Sequence, residues 1–152
     1  MSGEAGGSMI HAGEVFRIQG AVFEVNRVMG RGFLEAVYQE CLTLEFAARG
    51  IPFRATPPLS LAYKSTPLRQ TYCPDFICFE TIVVELKAVR EIAPEHRAQV
   101  LNYLRATGLE VGLLVNFGGS SKATVQRLVL QEETANPRER TRTGPASSRA
   151  EF

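Results

Sequence analysis

The sequence predicts a mixed α/β (α+β) domain with a mixed central sheet and elements in the order ααβββαβ(β). Two observations carry that expectation. Apolar residues recur at helical spacing near the start and again past the middle, and between and after those stretches they crowd into short β-branched runs. The first helix rests on Val15, Ile18, Val22, Val25 and Met29, a 3-4-3-4 stripe that Met29-Gly-Arg-Gly32 breaks. A second helix is expected from Phe33 to about Arg49, with Leu34, Val37, Tyr38, Cys41, Leu42 and Leu44 inward and Gly50 as its stop. The two form a helical hairpin. Leu59–Tyr63 alternates as a strand, Lys64–Pro67 turns, and Leu68 to Phe79 continues as strand. Thr81–Val89 is β-branched enough for a central buried strand, entered from a turn at Glu80-Thr81. Pro94 opens a helix that carries His96, Gln99, Val100, Tyr103 and Leu104 and ends at Gly108. Val111–Phe117 has the length of a buried strand, Gly118–Ser121 is a loop, and Thr124–Leu130 fits an edge strand or a short helix.

Size and composition bound the function classes. The 152 residues are one domain's worth of chain, 45% hydrophobic and 22% charged, with a formal charge of +1. No apolar window reaches the ~20 residues of a membrane span, and the first residues lack the basic and apolar regions of a signal peptide. A soluble cytoplasmic protein is expected. Cys41, Cys73 and Cys78 are read as reduced, half-buried small hydrophobes. Residues 1–10 read as a flexible N-terminus, 11–131 as the domain and 132–152 as a disordered tail, in which Arg138, Arg140, Arg142 and Arg149 face Glu139 and Glu151. The near-neutral charge offers no overall basic field, so any nucleic-acid contact must be local.

Charge stands where the architecture wants apolar residues. Glu85 and Lys87 interrupt the most hydrophobic strand and, two apart, project from one face. Burying such groups costs several kcal/mol unless they are paired or serve a ligand. An exposed sheet end with an incidental ion pair and a functional site are both open on this spacing alone. Asp75 follows Pro74 on the preceding strand, and pairing about the turn sets it opposite or diagonal to Glu85. Two carboxylates beside a lysine suit a hard cation such as Mg²⁺, which binds oxygen and keeps several waters, with the lysine aiding a metal-bound water. Glu35 shares a helical face with Tyr38 and Leu42, either as a solvated edge of that stripe or as a partner of the site, and Gln99 and Tyr103 share another. Tyr38 reads first as a core aromatic with a satisfied hydroxyl, and Gly32 as a turn residue. His96, one turn before Gln99, is a candidate beside the substrate. With His11 its only companion, zinc is not supported, and no cysteine has an evident base. Gly118-Gly-Ser-Ser-Lys122 lacks the spacing of a nucleotide-phosphate loop.

Pro74-Asp75 with Glu85-Leu86-Lys87 resembles the PD-(D/E)xK nuclease signature. Gly32-Phe-Leu-Glu35-Ala-Val-Tyr38 is similar to the motif that names the GxxExxY proteins, a mostly bacterial branch of that superfamily. Gln99-Val-Leu-Asn-Tyr103 resembles the QxxxY motif of its RecB-like and phage exonuclease branches. The resemblance covers about residues 12–130 and implies a restriction-endonuclease-like core. It implies that Asp75, Glu85 and the Leu86 carbonyl hold Mg²⁺, with Mn²⁺ as a substitute, and that Glu35 joins the metal shell directly or through water. It further implies that Lys87 positions the attacking water, and that Gln99 and Tyr103 contact the substrate phosphate or the lysine. The implied activity is hydrolysis of nucleic acid, DNA before RNA. Arg31, Arg54, Lys64, Arg69, Arg90, Lys122 and Arg127 are the local cations available to track a backbone. A weak grip by a near-neutral monomer makes a homodimer or partner protein an expectation. The alternative is a non-catalytic module of the same fold that binds nucleic acid or a protein.

Overall fold

A computed structural model of the chain describes residues 9–130; the expected tail at 132–152 and most of the expected flexible start lie outside them. The elements are α1 (Ala12–Met29), α2 (Glu35–Ala48), β1 (Phe53–Ala55), β2 (Leu59–Tyr63), β3 (Thr66–Tyr72), β4 (Phe76–Cys78), β5 (Ile82–Lys87), α3 (Pro94–Thr107), β6 (Val111–Asn116) and β7 (Thr124–Val129). Five strands form the main sheet in the order β1-β4-β5-β6-β7, and β2-β3 stand apart as a two-stranded sheet. Only β5 and β6 run parallel, joined by the α3 crossover; the other pairings are antiparallel. The sheet is mixed and β5 is central to it, as expected.

Side-chain alternation along β5 divides the core. Ile82, Val84 and Leu86 are buried with Val15, Ile18 and Val22 of α1 and Tyr38, Leu42 and Phe46 of α2. Val83 lies on the opposite face with Val100 and Leu104 of α3 and with Tyr72. Gly112 lets α3 approach β6 closely, since a Cβ there would lie 2.7 Å from Val100 Cγ1.

The structure departs from the expectation in four places. The run from Leu68 to Phe79 is not one strand: it breaks at Cys73-Pro74-Asp75, because proline has no N–H for a continuous ladder. β1 was not anticipated; its three residues are too few to show a period. The β4–β5 turn falls at Phe79-Glu80, both at positive φ, one residue before the expected Glu80-Thr81. On α2, Leu34 and Leu44 are solvent-exposed and Phe46 is fully buried, so the inward stripe is Tyr38, Leu42, Phe46. Thr124–Val129 is an edge strand, which resolves that ambiguity.

Candidate active site

Asp75 stands just before β4, and extending the β4–β5 register by one residue beyond Phe76↔Val84 sets it opposite Glu85. The Asp75 N–H donates to Glu85 Oε1 at 3.2 Å, and the Leu86 N–H donates to Asp75 Oδ2 at 2.8 Å. A side-chain bond thus replaces the ladder that Pro74 interrupts. Further along the break, the Thr56 N–H donates to the Asp75 carbonyl at 2.9 Å. Glu85 and Lys87 project from the α3 face of β5, the face that also carries Val83.

One residue that sequence reasoning missed completes this knot. Tyr72, the last residue of β3, is buried and donates its hydroxyl to Glu85 Oε1 at 2.8 Å. Its ring stacks on Tyr103 of α3, with centroids 3.5 Å apart and planes 2° from parallel. Tyr103 therefore reaches the site through Tyr72. No sequence signal marks Tyr72 beyond its place just before the Pro74 break.

Charge in the knot is concentrated. Burial pushes the Glu85 carboxyl up to about 7, Asp75 adds to the rise, and the Tyr72 hydroxyl, the Asp75 N–H and Lys87 oppose it. Burial also raises Asp75 above its ordinary value; the Leu86 N–H opposes this, the Glu35 carboxylate adds to it, and Lys87 opposes it. Tyr72 is held well above its ordinary range by burial and then by the Glu85 charge.

The other expected residues are distributed unevenly. Glu35 opens α2 and is exposed; it acts on Asp75 through space only, because α2 packs on the opposite face of the sheet. Among the described residues, no group of three or more His, Cys, Asp or Glu side chains is set to hold a metal ion. Gln99 is exposed on α3, one turn from Tyr103, with no hydrogen bond to the knot. His96 serves its own helix: its Nδ1 accepts the Ala93 N–H at 3.0 Å and closes the start of α3. Tyr38 is the core aromatic expected, donating to the Gly30 carbonyl at 2.7 Å and stacking on Phe117 at 4.3 Å. Gly32 has φ 110, in keeping with its turn role. Cys78 is buried and its thiol is pushed up to about 12, Cys41 is half-buried and Cys73 is exposed; all three are free.

The family model of the PD-(D/E)XK nuclease superfamily matches residues 13–128, which spans every element described above except the first residue of α1 and the last of β7. The chain belongs to the PD-(D/E)XK nuclease superfamily. Its mixed sheet flanked by helices is the restriction-endonuclease-like fold of that superfamily, whose members generally are nucleases acting on nucleic acid and typically use divalent metals. Neither the curated proteins nor the solved structures contain a match. Among the described residues no helix is long and apolar enough to cross a membrane.

The donor set suits a divalent cation of the kind PD-(D/E)XK nucleases use. Among the described residues Asp75 Oδ1 and Glu85 Oε2 accept no hydrogen bond, while the other oxygen of each is fixed. The N–H and C=O of one strand residue point to the same side, so the Leu86 carbonyl faces the Asp75 side, past the end of β4. Burial raises both carboxylates, Asp75 adds to the rise of Glu85 and Glu35 to that of Asp75, so a hard cation would supply positive charge where both are destabilised as anions.

Proposed function

We propose that the chain is a metal-dependent nuclease of the GxxExxY type that hydrolyses phosphodiester bonds, in DNA before RNA, using Mg²⁺ with Mn²⁺ as a substitute. The observation that carries this reading is the Asp75–Glu85–Leu86 knot with Lys87 on the same face of β5. Asp75 Oδ1, Glu85 Oε2 and the Leu86 carbonyl would hold the cation, and Glu35 would reach it through water. When bound, the cation neutralises charge developing on the phosphate and lowers the pKa of its water. The Lys87 ammonium, close enough to favour ionisation of both carboxylates, orients the attacking water and steadies the added charge on phosphorus. Tyr72 and the Asp75 N–H hold Glu85 Oε1, which leaves Oε2 for the cation. Tyr103 braces Tyr72, and Gln99 meets the substrate phosphate from the same helix. Residues 11–131 are the catalytic domain in this reading, which acts in the cytoplasm as a homodimer or with a partner protein.

The absence of a third acidic or imidazole ligand among the described residues favours a second reading, a nuclease-fold module that binds nucleic acid without cutting it. Labelled single- and double-stranded DNA and RNA, incubated with Mg²⁺ or Mn²⁺, separate the two. Cutting by wild type that is lost in Asp75→Ala and Lys87→Ala supports the nuclease. Folded wild type that neither cuts nor binds metal by calorimetry leaves only the module.

A further inference from the structure

Of the seven cations proposed to track a backbone, the structure sets three around one loop. Arg54 is spent on Glu80, with two bonds of 3.0 Å, and Arg127 donates to the Ile10 carbonyl at 2.8 Å. Lys64 lies over its neighbour Tyr63 on the β2–β3 hairpin, whose Arg69 lines neither groove described next. Arg31 and Arg90 line a groove of about 470 Å³ with Phe33, Ala88 and Gly118. Arg90 also lines a second groove, of about 530 Å³, with Lys122 and Ser120. Among the described residues none of the three has a carboxylate within ion-pair distance, and Glu91 is the one acid on either rim. Arg31 Nη1 instead donates to the Gly119 carbonyl at 3.1 Å, which anchors the side chain and leaves its charge uncompensated.

The surface is built rather than loose. Asn116, 3% exposed, accepts the Val89 and Gly118 N–H groups at 3.0 Å each and donates to the Val89 carbonyl at 2.9 Å. It welds the segment after β5 to the loop after β6, at the carboxyl ends of the two parallel strands, where ligands of α/β sheets bind. The first groove adjoins the site along the chain, since Ala88 follows Lys87, and its Leu34 precedes Glu35, whose charge reaches Asp75. On its wall, Phe33 is 44% exposed and packs at right angles to Tyr38 with centroids 6.0 Å apart, which holds a partly exposed ring beside the cations.

We infer that these joined grooves are the path of a single-stranded nucleic acid leaving the candidate active site, with phosphates on Arg31, Arg90 and Lys122 and a base stacked on Phe33. The inference rests on nucleic acid being the substrate and names its form. A cationic groove with an aromatic platform is how single strands are held without sequence preference.

The test is fluorescence anisotropy of a labelled single-stranded oligonucleotide and of labelled inorganic polyphosphate, in EDTA across a salt series, with folding checked by circular dichroism. The Arg90→Gln/Lys122→Gln double variant is expected to flatten the slope of log affinity against log salt by about 1.4, at ~0.7 per cation withdrawn from a single strand. Phe33→Ala is expected to weaken the oligonucleotide about tenfold and leave polyphosphate unchanged. A wild-type slope in the folded double variant overturns the phosphate path. Equal effects of Phe33→Ala on both ligands, or none on either, overturn the base platform. Since binding is read without cleavage, a flattened slope in a protein that never cuts upholds the path while removing the nuclease reading.

Discussion

Glu85 Oε1 accepts two hydrogen bonds, from Tyr72 and from the Asp75 N–H. Removing one of them isolates what Tyr72 does. Tyr72→Phe keeps the ring on Tyr103 and deletes only the hydroxyl, so stability should fall by about 1–3 kcal/mol. Affinity for Mg²⁺ should fall about 10–100-fold, the usual cost of losing a group that orients a ligand, measured by titration calorimetry. Unchanged metal affinity would remove Tyr72 from the site. The pH dependence of the metal-free protein follows from Glu85 itself. The folded chain keeps this proton up to about pH 7, whereas the unfolded chain releases it near the ordinary value of 4.5. Between those values the folded state binds more protons, so stability falls as pH rises through the window, by an amount on the order of 1–3 kcal/mol. Asp75, also raised, adds a loss of the same sign. Urea unfolding in EDTA at pH 5 and pH 8 should show that loss in wild type and much less of it in Glu85→Gln. Glu85 and Lys87 stand out in the sequence because charge in a β-branched run is costly and strand alternation fixes their face, and Asp75 because pairing about the turn sets it near Glu85. Tyr72 does not, since a tyrosine ending a strand looks the same whether it meets solvent or a carboxylate.

Elements were legible where a period ran long enough. The stripe of α1 and the runs of β5 and β6 have that length; β1, with three residues, does not. On α2 the expected inward residues Tyr38 and Leu42 are buried but Leu34 and Leu44 are not, and the four-residue step from Tyr38 to Leu42 leads on to Phe46. As the first residue of α2, Glu35 stands at the exposed mouth of the helix, close enough to act on Asp75 by charge alone. The junction after β6 carries a sharp prediction. A Cβ on Gly118 would lie 2.5–2.6 Å from backbone atoms of Ala88 and Val89, which cannot yield as a side-chain tip does. Gly118→Ala should therefore cost about 1–3 kcal/mol, as overpacking does, and, under the proposed nuclease function, should lower the rate of cutting by displacing the segment that follows Lys87. At the neighbouring Gly119 a Cβ meets nothing closer than 3.8 Å. Gly119→Ala is the control: equal losses from the two substitutions in thermal unfolding and cleavage would mean the close approach at Gly118 is not what matters.

At the scale of the whole molecule, a net charge of +1 conceals a sorted distribution. Acid gathers at the Asp75–Glu85 knot, and unpaired base gathers around the loop after β6. Composition reports only the sum, so the sequence could show that a nucleic-acid contact must be local without showing where. The fold separates the two because strand order is fixed by packing: α1 and α2 cover one face of the sheet, α3 covers the other, and both apolar clusters are formed by residues lying between Val15 and Val129. All five strands of the main sheet and the parallel β5–β6 pair lie in the same span, as does the superfamily match at residues 13–128. A chain cut to residues 9–130 thus retains both apolar clusters found among the described residues. It should unfold in one cooperative step with a midpoint within about 4 °C of the full chain, a difference of roughly 1 kcal/mol for a domain of this size. Under the proposed nuclease function it should also cut as the full chain does, since the knot, Lys87 and the grooves are all retained. A midpoint lowered by more than about 8 °C in calorimetry, or two separate transitions, would mean that residues beyond this span belong to the folding unit.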